Sequence, residues 1–151
     1  MKDKKKYKAL LIIAAVIAVS IFVLPQFFVP RDDVGLGRYI LTGLVNNNSW
    51  VEKYIDWGLF KAGDTDVGRT YSSYITEKEK QMYKKVFLAS FSASFKMTVA
   101  KMSDFSNWRL YSQENQKTTV AVTGKGGTVY LTLSNPKYGP KKLISLQWKA
   151  K

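Results

Sequence analysis

Hydrophobic and polar positions divide the chain into three regimes. Residues 9–24 carry no charge, and Ser20 is the only polar side chain among them. Pro25 and Gln26 interrupt the run before Phe27, Phe28 and Val29 extend it to Pro30. Residues 9–29 as a helix would reach roughly 31 Å, about one hydrocarbon core. Beyond the charged stop Arg31-Asp32-Asp33 the apolar positions recur at helical spacing, and from Phe95 they alternate.

In the helical regime, Gly35-Leu36-Gly37 reads as a flexible linker and residues 38–46 as a first helix, carrying Tyr39, Ile40, Leu44 and Val45. Asn46-Asn47-Asn48 breaks it. Ser49 and Glu52 are spaced for a capping box, each side chain accepting from an orphan backbone N–H. Behind them Trp50, Val51, Tyr54, Ile55 and Leu59 fall on one helical face, which Gly58 weakens near its end. Residues 61–75 are polar and read as a long loop. Thr76 and Glu79 form a second capping box, opening a stronger helix with Met82, Tyr83, Val86, Phe87 and Phe91 on its apolar face. Glu77 and Glu79 complement its positive end.

In the last regime Phe95, Met97 and Val99 alternate with Lys96, Thr98 and Ala100. Residues 108–111 predict a second strand. Residues 118–123 and 128–133 flank Gly124-Lys125-Gly126-Gly127, a hairpin whose turn must accept positive φ. A turn at residues 135–140 leads to a last strand at 143–148. The expected fold is α+β: an N-terminal transmembrane helix, then two or three helices packed on a curved antiparallel sheet of four to five strands. The corresponding segments are a basic tail (1–8), the membrane span (9–29), a linker (30–37) and an extracytoplasmic α+β domain (38–151).

Five lysines precede the span against Asp3 alone, which holds the N-terminus in the cytoplasm and exports the rest. A cleaved secretory signal is the rival, since Ala18-Val19-Ser20 offers a small-x-small pair. Residues 21–24 continue the apolar run past it, which favours an uncleaved anchor. A buried helix of a soluble domain is disfavoured by the lysine cluster and the run length. A pilin-type leader would need a Glu near the start of the run.

The 151 residues suffice for one ordinary domain, and 46% hydrophobic content is too high for a disordered tail. There is no Cys and no His. That excludes disulfides, thiol and imidazole catalysis, a Ser-His-Asp triad and Cys- or His-ligated metals.

The order of elements resembles the small cone-shaped domains of the NTF2-like superfamily. The resemblance rests on residues 50–59, residues 77–95 and the strands that follow, and covers about residues 38–149. Many bacteria carry such a domain behind one N-terminal membrane helix, VirB8-like assembly components of conjugation systems among them, although this chain is shorter than those. The resemblance implies a concave sheet with a pocket or a dimer surface, and no particular activity.

Candidate chemistry is sparse. Asp64 and Asp66 have the spacing of a calcium-loop start, but Ile75 stands where an EF-hand has its closing Glu. Ser134 and Lys137 match Ser-x-x-Lys, yet Pro136 makes the spacing a turn rather than a helical dyad. The glycines at 35–37 and 124–127 match neither a dinucleotide fingerprint nor a Walker loop. No second carboxylate from another element faces Asp64 and Asp66 for glycosidase work. The sequence therefore predicts no catalytic residue, cofactor or metal.

Charge distribution carries more. After residue 30 there are 19 basic and 10 acidic residues, and from Asn115 onward only basic ones: Lys117, Lys125, Lys137, Lys141, Lys142, Lys149 and Lys151. The candidate surface for an anionic ligand or partner is Lys125, Lys137, Tyr138, Lys141, Lys142, Trp148 and Lys149. Its plain alternative is that lysines keep the solvent side of the strands soluble. Aromatic area is concentrated in Tyr39, Trp50, Tyr54, Trp57 and Phe60, as core or as part of a binding patch.

The sequence thus points to a non-enzymatic, single-pass module of the bacterial cell envelope, its domain outside the membrane, contacting another envelope protein. The alternative is a ligand-binding domain for anionic lipid, glycan or wall polymer through the lysine-rich sheet. Nucleic acid is the least favoured partner, because export separates the domain from it. A homo-oligomer is open.

Overall fold

The computed structural model describes residues 29–98 and 101–150. The basic tail and the expected membrane span lie outside the described residues, apart from Val29. Among the described residues no helix is long and apolar enough to cross a membrane. Residues 31–151 form one compact α+β unit.

Helix α1 (Asp33–Val45) starts earlier than the sequence suggests. Asp32 caps it, its Oδ1 accepting from the Gly35 N–H at 2.7 Å. The expected linker 35–37 is therefore helical, with Leu36 and Gly37 buried. Each helical glycine costs about 1 kcal/mol relative to alanine. Close packing offsets that here: a Cβ on Gly37 would stand 3.2 Å from Val120, and one on Gly43 only 2.7 Å from Trp50.

Asn47 breaks the helix at φ 54°. A short 3₁₀ turn (Ser49–Tyr54) follows in place of the expected capped α-helix. Its N-cap position is Asn48, whose side chain makes no capping bond, so the Ser49/Glu52 box does not form. The apolar spacing was nonetheless meaningful. Val51, Tyr54 and Ile55 are buried, while Leu59 is 64% exposed.

The expected loop 61–75 contains two short strands and a helix: β1 (Lys61–Ala62), β2 (Thr65–Asp66) and α2 (Val67–Ser73). Asp66 caps α2 through the Arg69 N–H at 2.9 Å. Two-residue strands leave no alternation to read. Gly68 lets α2 close on the preceding turn, since a Cβ there would sit 2.4 Å from the Gly58 carbonyl oxygen.

Helix α3 (Glu77–Thr98) opens with the expected capping box. The Thr76 N–H donates to Glu79 Oε2 at 3.0 Å, and the Glu79 N–H donates to Thr76 Oγ1 at 3.2 Å. The bond from the Thr76 N–H, joined by one from the Thr76 hydroxyl at 2.8 Å, holds the Glu79 carboxyl below its ordinary range. The expected strand beginning at Phe95 is overturned as far as Thr98, where α3 ends; Val99 and Ala100 lie outside the described residues. Phe91 and Phe95 stack at 6.0 Å, the i, i+4 contact of a helix. The buried side of α3 is Leu88, Ser92 and Phe95, whereas Met82 and Val86 are 58% and 54% exposed. Ser92 Oγ donates to the Val45 carbonyl at 2.6 Å, tying α3 to the end of α1.

Four strands complete the sheet: β3 (Ser106–Glu114), β4 (Lys117–Gly124), β5 (Gly127–Ser134) and β6 (Leu143–Ala150). The order is β2-β1-β6-β5-β4-β3, six strands rather than four to five. The sheet is mixed rather than purely antiparallel, because β1 runs parallel to β6. In the predicted β4–β5 hairpin Gly124 pairs with Gly127. Gly127 has φ 154°, and a Cβ there would stand 2.2 Å from the Lys149 carbonyl oxygen. Val120, Val122, Val129, Leu131 and Leu133 alternate inward.

Helix α1 lies on this inner face, α3 packs against α1, and along α3 runs a continuous file of rings. Phe60 meets Phe87 at 5.6 Å, Phe87 meets Phe91 at 6.2 Å, and Phe95 meets Phe105 at 5.6 Å. Phe105 then meets Trp148 edge-on at 6.3 Å. Phe105→Ala is expected to cost about 3–5 kcal/mol, read by urea unfolding followed through tryptophan fluorescence. The cap's contribution has a sign in pH. Because the folded Glu79 pKa lies below its unfolded value, that stability is present above the unfolded pKa and lost as pH falls through the folded one. Amide exchange in the first turn of α3 should accelerate over that acid window, and Glu79→Gln should flatten the response.

Candidate binding surface

Pairing register fixes what each strand shows to the side away from the helices. On β4 and β5 the outward residues are Lys117 opposite Ser134, Thr119 opposite Thr132, Ala121 opposite Tyr130 and Thr123 opposite Thr128. On β6 they continue as Ser145, Gln147 and Lys149, opposite Thr132, Tyr130 and Thr128. Strand β1 adds Lys61, in register with Ser145. The face is rich in hydroxyls, with the Thr119 and Thr132 oxygens 3.2 Å apart.

Two adjoining hollows open on this face, of about 580 Å³ and 490 Å³, and they share Leu59, Lys117 and Ile144. Lys137 and Asn135 enter the first, and Lys61 and Ser145 the second. Together they form an open groove from the β5–β6 loop towards β1. Three ammonium groups, hydroxyls and amides supply donors, and Leu59 and Ile144 supply an apolar strip. Glu114 is the one acid lining it. Such a set suits an extended anionic segment held by charge and hydrogen bonds.

The seven predicted residues separate. Lys137 lines the groove, with its Nζ 5.6 Å from the Tyr138 ring, and Tyr138 is 82% exposed. Lys141 instead ties the β5–β6 loop to the start of α1, its Nζ donating to Asp33 at 2.6 and 2.9 Å. Lys142 pairs by its backbone with Ser134. Lys125 lies in the β4–β5 turn, 3.6 Å from Asp104. Eight-residue strands separate that turn from Lys137 by roughly 25 Å. Lys149 is exposed near the same end, and Trp148 closes the ring file against Phe105. The lysines are thus distributed over two ends and one structural ion pair. Lys61 joins the groove without any sequence signal, because only the parallel β1–β6 pairing brings it there.

The weaker motifs are placed too. Asp66 caps α2, and among the described residues no cluster of three acidic side chains could hold a metal ion. Ser134 Oγ accepts from the Lys142 N–H at 3.1 Å, while the Lys137 ammonium sits over Tyr138.

No protein family, curated protein or solved structure matches this chain. The geometry of its surface is therefore the basis for any functional reading.

The Asp33–Lys141 pair is partly exposed, so its coupling should be modest. A double-mutant cycle with Asp33→Ala and Lys141→Ala is expected to give about 0.5–1 kcal/mol in unfolding free energy. Lys117→Ala, which has no ion-pair partner among the described residues, should leave stability within about 0.5 kcal/mol.

Proposed function

We propose that the chain is a non-enzymatic binding module of the cell envelope. Residues 9–29 anchor it in the membrane with the N-terminus inside, and the α+β domain outside contacts an acidic segment of another envelope protein. The observation that carries this reading is the open groove on the outer sheet face, where Lys61, Lys117 and Lys137 converge among hydroxyls. An open groove accommodates a chain or a protein edge better than a small enclosed substrate. The inner sheet face is covered by α1, with Ile40, Leu41, Leu44, Val122 and Leu131 fully buried, which favours the outer face as the contact surface.

The NTF2-like architecture is part of the proposal. Support comes from the order of elements: helix, short turn, small hairpin, long helix, then a four-stranded meander closing beside the hairpin. A VirB8-like role is the narrower form of it, and only partner identification bears on that.

A second reading has its own support. The same three ammonium groups would suit phosphate groups of an anionic lipid or wall polymer. Crosslinking in cells, followed by detergent extraction and mass spectrometry, separates the two. One or a few membrane proteins should be recovered in fixed proportion. Changing Lys61, Lys117 and Lys137 together to Glu should lower that recovery roughly tenfold, about the effect of 1.4 kcal/mol. Recovery of lipid or polymer in place of protein, equally lost in the triple variant, would transfer the function to the second reading. An unchanged yield from the triple variant would remove the groove from both.

A further inference from the structure

Helix α3 has a second, largely exposed face, bordered near its start by Tyr74 and Tyr83. Met82, Val86, Ala89 and Ala93 are all exposed, and they recur at intervals of four and three. Glu79 precedes them and Lys96 follows in the same alternation, both exposed. This is a heptad seam in its spacing, with charge at its ends and small residues beyond its middle. It lies apart from the buried side formed by Leu88, Ser92 and Phe95. Lys85, also exposed, flanks the seam, whereas Lys80 and Lys84 sit on the far side of the helix, over the Tyr71 ring at 5.7 and 5.4 Å.

The seam is complementary to itself when reversed. A two-fold axis passing midway between Phe87 and Leu88 would set Met82 opposite Ala93, Val86 opposite Ala89 and Glu79 opposite Lys96. Large side chains then meet small ones in every central layer, and each outer layer pairs opposite charges. A parallel pairing would instead stack Glu79 on Glu79 and Lys96 on Lys96. Glu79 remains able to take part, since the cap uses only its Oε2.

We propose that this face of α3 docks on the same face of a second copy, antiparallel, in a two-fold dimer. The interface is isologous and closes on itself. It goes beyond the anionic-partner reading and does not depend on it, because the seam and the groove share no residue.

The natural chain has no cysteine, which makes the test direct. In the full chain Ala89→Cys lies beside the axis, with the two copies of the residue offset by about 4–5 Å along the helices. It should oxidise to a disulfide-linked dimer. Met82→Cys and Ala93→Cys alone should not, because each would be roughly 16 Å from its own copy along the helices. Mixed together, these two variants should link to one another. Lys96→Glu, which leaves the cap intact, should slow linkage at Ala89→Cys roughly tenfold by placing like charges in both outer layers. All four positions are exposed, so an unchanged circular dichroism spectrum is expected and confirms folding. Absent linkage at Ala89→Cys in folded protein would overturn the proposal. Self-linkage of Met82→Cys would overturn the antiparallel register, as would indifference to Lys96→Glu.

Discussion

The file of aromatic rings along α3 is the contact on which the rest of the domain depends. Phe60 enters it from the segment before β1, Phe87, Phe91 and Phe95 from one helix, Phe105 from the approach to β3, and Trp148 from the end of β6. Elements far apart in sequence are thereby clamped to a single helix. Each ring brings a large apolar area and a preferred edge or stacked geometry. Between α1 and the sheet, Ile40, Leu41, Leu44, Val122, Leu131 and Leu133 are fully buried, and the two lysine-lined hollows open on the outer face.

Small residues and one ion pair set how closely the remaining pieces approach this axis. Gly37 and Gly43 bring α1 against Val120 and Trp50, and Gly68 brings α2 against the turn at Gly58. Asp33 then holds the β5–β6 loop through Lys141. Fixing that loop orients the residues beside it, Lys137 included, at one end of the groove. A lysine that reads as a binding residue by charge alone serves here to position its neighbours.

The domain consequently presents two distinct surfaces. The sheet offers a polar, cationic groove, and α3 offers an apolar, self-complementary seam. Both arise from strict periodicity: residues in a strand alternate faces, and a helix buries only one stripe of its circumference.

What the sequence determined by itself follows from local chemistry. The α3 capping box was legible because Thr76 and Glu79 act within one turn. The β4–β5 hairpin was legible because alternation and a glycine turn are short-range signals. The α+β class followed from these, and the positive sheet half from composition. Tertiary structure decided the rest. The Phe95 alternation fits three strand residues as well as a helix, and only stacking on Phe91 and Phe105 settles it. Gly37 looks like part of a linker until Val120 explains the close approach. Strands β1 and β2 are too short to leave a period, so Lys61 reached the groove unseen. The same one-signed run of lysines was divided between groove, ion pair and far turn by pairing register. Sequence records the charge of a residue, but the partner that uses that charge is a matter of which distant segment the fold brings beside it.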